Sequence, residues 1–106
     1  MPKYLVKATY SAEGTRGLIK DGGSGRQRAV KGLIESVGGS LEVFYYSFGE
    51  EDLIWICDLP TNSDAVAMSL AVNAARGAQV HMTQLLTVED VDQAVTKAVE
   101  YRPPNT

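Results

Sequence analysis

Cysteine, histidine and tryptophan each occur once in this sequence, and proline only four times. A lone thiol, Cys57, permits no internal disulfide, which excludes a disulfide-stapled scaffold and makes a reduced, cytoplasmic setting the expectation. Positive charge is not in excess. The formal charge is -3 and the isoelectric point about 5.0, so nothing draws the chain electrostatically to nucleic acid. No apolar run approaches the roughly 20 residues that span a bilayer. Lys7 interrupts the short apolar stretch after Met1 where a signal peptide would place its hydrophobic centre. Neither nucleic acid nor a membrane is expected as a partner.

What remains is ordinary globular material, 44% hydrophobic and 22% charged over 106 residues. That length makes one domain, residues 1–106, large enough for a core without a disulfide or structural metal. Residues 3–10 alternate as a strand with Tyr4, Val6, Ala8 and Tyr10 on one face. Ser11 is placed to cap a helix, which Gly14 and Gly17 weaken and Gly22-Gly23 break. The helix is expected to restart at Ser24, where Ser24 and Gln27 have capping-box spacing. Val30, Leu33, Ile34 and Val37 form its apolar stripe, and Gly38-Gly39 end it.

Residues 40–48 and 53–59 read as two strands of a hairpin through Gly49-Glu50-Glu51-Asp52. In the first, Leu41, Val43 and Tyr45 are assigned to one face and Phe44, Tyr46 and Phe48 to the other. In the second, Ile54 and Ile56 oppose Leu53, Trp55 and Cys57. Both faces are apolar, whereas a sheet with one solvated face would alternate apolar with polar residues. Two helices cover one face; a second subunit is the economical cover for the other. Thr61-Asn62-Ser63-Asp64 caps a helix that runs to about Arg76, residues 79–86 form a fourth strand, and Thr87 and Asp90 start a last helix. Its stripe is Val88, Val91, Val95, Ala98 and Val99, and Pro103-Pro104 are expected to terminate it. The order is that of a ferredoxin-like βαββαβ α+β fold with an antiparallel sheet, both helices on one face and an extra C-terminal helix.

The stretch Gly17-Leu18-Ile19-Lys20-Asp21-Gly22-Gly23-Ser24, residues 26–39 and Phe44-Tyr45-Tyr46-Ser47-Phe48-Gly49 together resemble the GYD-domain family over roughly residues 3–100. The resemblance implies a dimeric α+β barrel, in which two ferredoxin-like sheets face each other. It lies in the glycine pattern and carries no catalytic signature. At the hairpin motif Gly49 and Asp52 fit, while Glu51 stands where the family's tyrosine is expected.

Four constellations bear on chemistry. Gly23, Ser24 and Arg26 lie where glycines precede a helix, so their backbone N–H groups are candidates for an anion; Arg16, Lys20, Arg28 and Lys31 flank them. The plainer reading is a helix break with a solvated basic face. Glu50, Glu51 and Asp52 are acids on a turn, but no metal-ligand spacing accompanies them, so no metal site is assigned. His81 is a candidate acid or base, with a structural role as the alternative. Tyr46, Trp55 and His81 are candidate ligand contacts, against the alternative that the aromatics Phe44, Tyr45, Tyr46, Phe48 and Trp55 form core and interface. Cys57 reads as a buried, inert thiol.

The leading expectation is a homodimeric ligand-binding or accessory protein without a cofactor. A cofactor-independent enzyme, monooxygenase-like or isomerase-like, acting on an apolar or aromatic metabolite is the second, with His81, Tyr46 and Asp52 as its polar groups. An oligomeric scaffold, a ring or cage of dimers, is the third.

Overall fold

A computed structural model describes residues 1–105 of the chain. The elements run β1 (Lys3–Tyr10), α1 (Ala12–Ser36), β2 (Ser40–Tyr46), β3 (Leu53–Asp58), α2 (Asn62–Ala74), β4 (Ala78–Leu85) and α3 (Val88–Ala94). The result is an α+β protein with one four-stranded antiparallel sheet, ordered β2-β3-β1-β4, and three helices.

The strand period decides what is buried. Tyr4, Val6 and Ala8 of β1, Leu53, Trp55 and Cys57 of β3, and Val80 of β4 share the face that α1 and α2 cover. From α1 come Val30 and Ile34, and from α2 Ala65 and Met68. Leu59, just past β3, completes this core. Each fully buried Ile or Leu contributes about 1.5–3 kcal/mol by removal from water.

Local chemistry places the helices over that face. Ser11 accepts the Gly14 N–H to cap α1, and its hydroxyl and amide also donate to the Gly77 carbonyl, tying the start of α1 to the loop after α2. Gly14 is obligatory there, because a Cβ would lie 1.8 Å from the Gly77 oxygen. α1 is interrupted at Gly22, whose φ of 75° and ψ of 169° are open to glycine and costly for other residues. The break therefore falls where the glycines place it, but no Ser24–Gln27 hydrogen bond caps the restart among the described residues.

Two sequence expectations are corrected. Leu41 does not share a face with Val43 and Tyr45. The pairing shifts between Leu41, opposite Cys57, and Val43, opposite Ile56. One extra residue in a strand reverses every side chain before it. Leu41 thereby joins the core side, and Val43 and Tyr45 stay on the other. The last helix is also shorter than expected. It ends at Ala94, well before Pro103, although its Thr87–Asp90 capping box forms. It buries no residue, and Val88, Val91, Val95 and Val99 are exposed. A short helix with no surface to pack on is marginal in water, and four valines do not favour it.

Candidate functional site

Between α1, α2 and the sheet lies a cleft of about 390 Å³ lined by Tyr10, Glu13, Gly14, Gly17, Arg26, Leu33, Val72 and alanines of α2. A smaller space of about 80 Å³ shares Tyr10, Arg26, Leu33, Val72 and Ala78 with it and reaches Val30, Leu53 and Trp55. The outer volume falls within the range of small-molecule sites, roughly 300–1,000 Å³.

Each wall has a local cause. Tyr10 ends β1 on the core side of the period and is held by its backbone N–H, which donates to Asp52 Oδ2 at 2.7 Å. Arg26 enters from the second half of α1, where the Gly22 break redirects the helix. Among the described residues its ion pair is a 3.4 Å contact to Asp21, and its side chain is one-third exposed. Trp55 is almost wholly buried and stacked on Phe44 at 6.3 Å, and its indole N–H meets no hydrogen-bond acceptor among the described residues. That N–H lies toward the Cys57 side chain, where it favours the thiolate. Burial pushes the Cys57 thiol up from its ordinary value, more than Trp55 pulls it down.

The other candidates are dispersed. Tyr46 lines a separate hollow with Leu18, Gly23 and Phe48, and its phenol donates to the Gly23 carbonyl at 2.9 Å. Burial raises its pKa, Tyr10 adds to the rise, and Arg26 pulls it back. Those influences put Tyr10, Tyr46 and Arg26 in one electrostatic neighbourhood. His81 is exposed on β4, opposite Lys7, and borders a groove with Val66 and Leu70 of α2. β2 and β4 are opposite edges of the sheet, three strand spacings or about 14 Å apart. Tyr46 and His81 also point to opposite faces, so within one chain they do not converge. Asp52 serves the backbone of β1. Glu51 pairs with Lys7 at 3.5 Å. Gly23 and Ser24 sit exposed at the break, where Gly23 presents its carbonyl to Tyr46 and Asp21 takes the Arg26 guanidinium. Among the described residues no three His, Cys, Asp or Glu side chains gather to hold a metal ion, and no helix is long and apolar enough to cross a membrane.

Tyr10, Leu33 and Val72 carried no functional signal in the sequence. They are apolar or aromatic residues at core periods, and only the meeting of three elements turns them into a wall. Arg26 and Trp55 were singled out separately; the fold brings them to one cleft.

The family model for the GYD domain matches residues 4–95. The chain belongs to the GYD-domain family. No match is found among curated proteins or among solved structures. The matched stretch of this GYD-domain protein contains every residue of the cleft and ends just beyond α3.

Proposed function

We propose that this GYD-domain protein is a homodimeric ligand-binding protein, in which two ferredoxin-like sheets face each other and each subunit holds a small molecule between α1 and α2. The observation that carries the binding role is the apolar cleft, roofed by Leu33 and Val72 and floored toward Trp55, with only a few polar side chains directed to it. Binding is favoured over catalysis because the inner space holds no carboxylate or imidazole, and Glu13, the acid of the cleft, borders only its outer part.

The ferredoxin-like description rests on the element order and on the strand order β2-β3-β1-β4. The dimer rests on the uncovered face. Leu5, Val43, Ile54 and Ile56 are only half-buried there, and Tyr45 is 70% exposed. Lys3 pairs with Glu42 and Asp58, and Lys7 with Glu51, so the charges on this face are largely matched within the chain. A face of aliphatic residues with neutralised charges suits a second copy of itself.

A thermal-shift screen of small metabolites, followed by amide-shift mapping of any hit, tests the binding role. The expected result is a stabilising compound whose shifts centre on Tyr10, Leu33, Val72 and Ala78. Hits that map elsewhere, or a diverse screen with no hit, would overturn it.

A further inference from the structure

The polar side chains of the inner space all carry donors. The inner space has three polar side chains, Tyr10, Arg26 and Trp55, and otherwise alanine, valine and leucine. All three donate hydrogen bonds, and the tyrosine oxygen is the only one that also accepts. No carboxylate or amide oxygen side chain lines it. Glu13, the acid of the cleft, borders only the outer space, whereas Arg26 borders both. Positive charge thus reaches deeper than negative charge.

The donors are also under-used. Arg26 has five N–H donors, and among the described residues they make one long contact to Asp21, an exposed pair worth little in water. The Trp55 N–H lies toward the buried Cys57 side chain, so Trp55 offers the inner space its ring and leaves Arg26 and Tyr10 as the donors there. A space of about 80 Å³ is large enough for a carboxylate and too small for a ring or a long chain. The outer space, with Leu33, Val72, Ala71 and Ala75, accepts an apolar body.

We propose that the ligand of this cleft is a small apolar monocarboxylate, seated with its carboxylate on the donors of Arg26 and Tyr10, beside the Trp55 ring, and its apolar part against Leu33 and Val72. This rests on the cleft being a ligand site and adds the chemical class. A carboxylate only accepts hydrogen bonds, which complements a lining with donors and no acidic side chain, and a guanidinium takes it with charge-assisted bonds. An ammonium ligand would face Arg26 and is disfavoured.

Trp55 is the only tryptophan, so its emission reports directly on the inner space. The probes are three compounds of similar shape: phenylacetate, phenylacetamide and phenethylamine. Phenylacetate is expected to change Trp55 emission saturably, with the amide and the amine at least tenfold weaker. Arg26→Gln is expected to weaken phenylacetate at least tenfold and to leave the amide unchanged, with circular dichroism confirming the fold. Ala71→Phe, at an exposed position on the outer wall, is expected to abolish binding of all three. If the amide binds at the cleft as tightly as the acid, or Arg26→Gln leaves phenylacetate unaffected, the carboxylate assignment is overturned while the cleft stands as a site. If Ala71→Phe changes nothing, or no probe reaches Trp55, the assignment is overturned together with the cleft.

Discussion

The Tyr46 phenol donates a 2.9 Å hydrogen bond to the Gly23 carbonyl, which pins the break in α1 to the edge strand β2. Gly23 also lies in van der Waals contact distance of the Tyr46 ring, where a Cβ would meet it at 3.4 Å. The break sets the direction from which Arg26 enters the cleft. Tyr46→Phe is expected to cost about 0.5–1 kcal/mol, since the bond is partly solvated. Hydrogen exchange at residues 22–26 should accelerate more than elsewhere; uniform acceleration would mean that the bond does not hold the break.

The approach of α1 to the loop before β4 depends on the absence of a side chain at Gly14. Gly14→Ala should destabilise by about 2–4 kcal/mol, because the backbone oxygen of Gly77 cannot yield as a flexible side chain would. Gly32→Ala, in the same helix with nothing within 4 Å, should instead stabilise by about 0.5–1 kcal/mol. Urea denaturation of the pair separates a packing requirement from helix propensity. Equal effects would remove the packing argument.

The uncovered sheet face yields a prediction about association. Tyr45→Arg changes an exposed residue and should leave the protomer folded. It should weaken self-association at least tenfold, about 1.4 kcal/mol, by placing like charges across the two-fold contact. Sedimentation equilibrium of the two proteins measures this. A wild-type monomer at micromolar concentration would end the dimer proposal.

Cys57 makes stability depend on pH at the alkaline end. Burial raises its pKa from 9.0, so the folded state disfavours the thiolate. A group raised on folding contributes its stability fully below the unfolded value, and the contribution is lost as pH climbs through the folded value. Cys57→Ala removes this loss at the cost of a small cavity. The stability gap between wild type and variant should therefore narrow as pH rises past 9.0 and toward the raised folded value. A constant gap across that range would show that the thiol titrates alike in the folded and unfolded states.

Much of the fold was legible because it depends on local rules. The alternation in β1 put Tyr4 with Val6, that in β3 put Trp55 with Cys57, and strand pairing joins the two sets in the core. The caps at Ser11, Thr61 and Thr87 all form. Gly22 carries the left-handed backbone that a glycine pair in a helix implies. Leu41 was misassigned because a bulge adds a residue without altering composition; it is visible only in the pairing of β2 with β3. The last helix was overextended because a valine stripe has the same spacing whether or not a partner surface meets it.

Sequence alone determined the element order, the two apolar sheet faces, the broken helix and the family resemblance, since periodicity, capping and glycine placement act over a few residues. The candidate site was decided by tertiary structure. Tyr10, Arg26, Trp55 and Val72 are spread along the chain, and no local pattern links them. They meet because β1 and β3 pair directly and α1 and α2 lie over that pair. The same geometry separated Tyr46 from His81, which the sequence had allowed to act together, by putting them on opposite edges and opposite faces of one sheet.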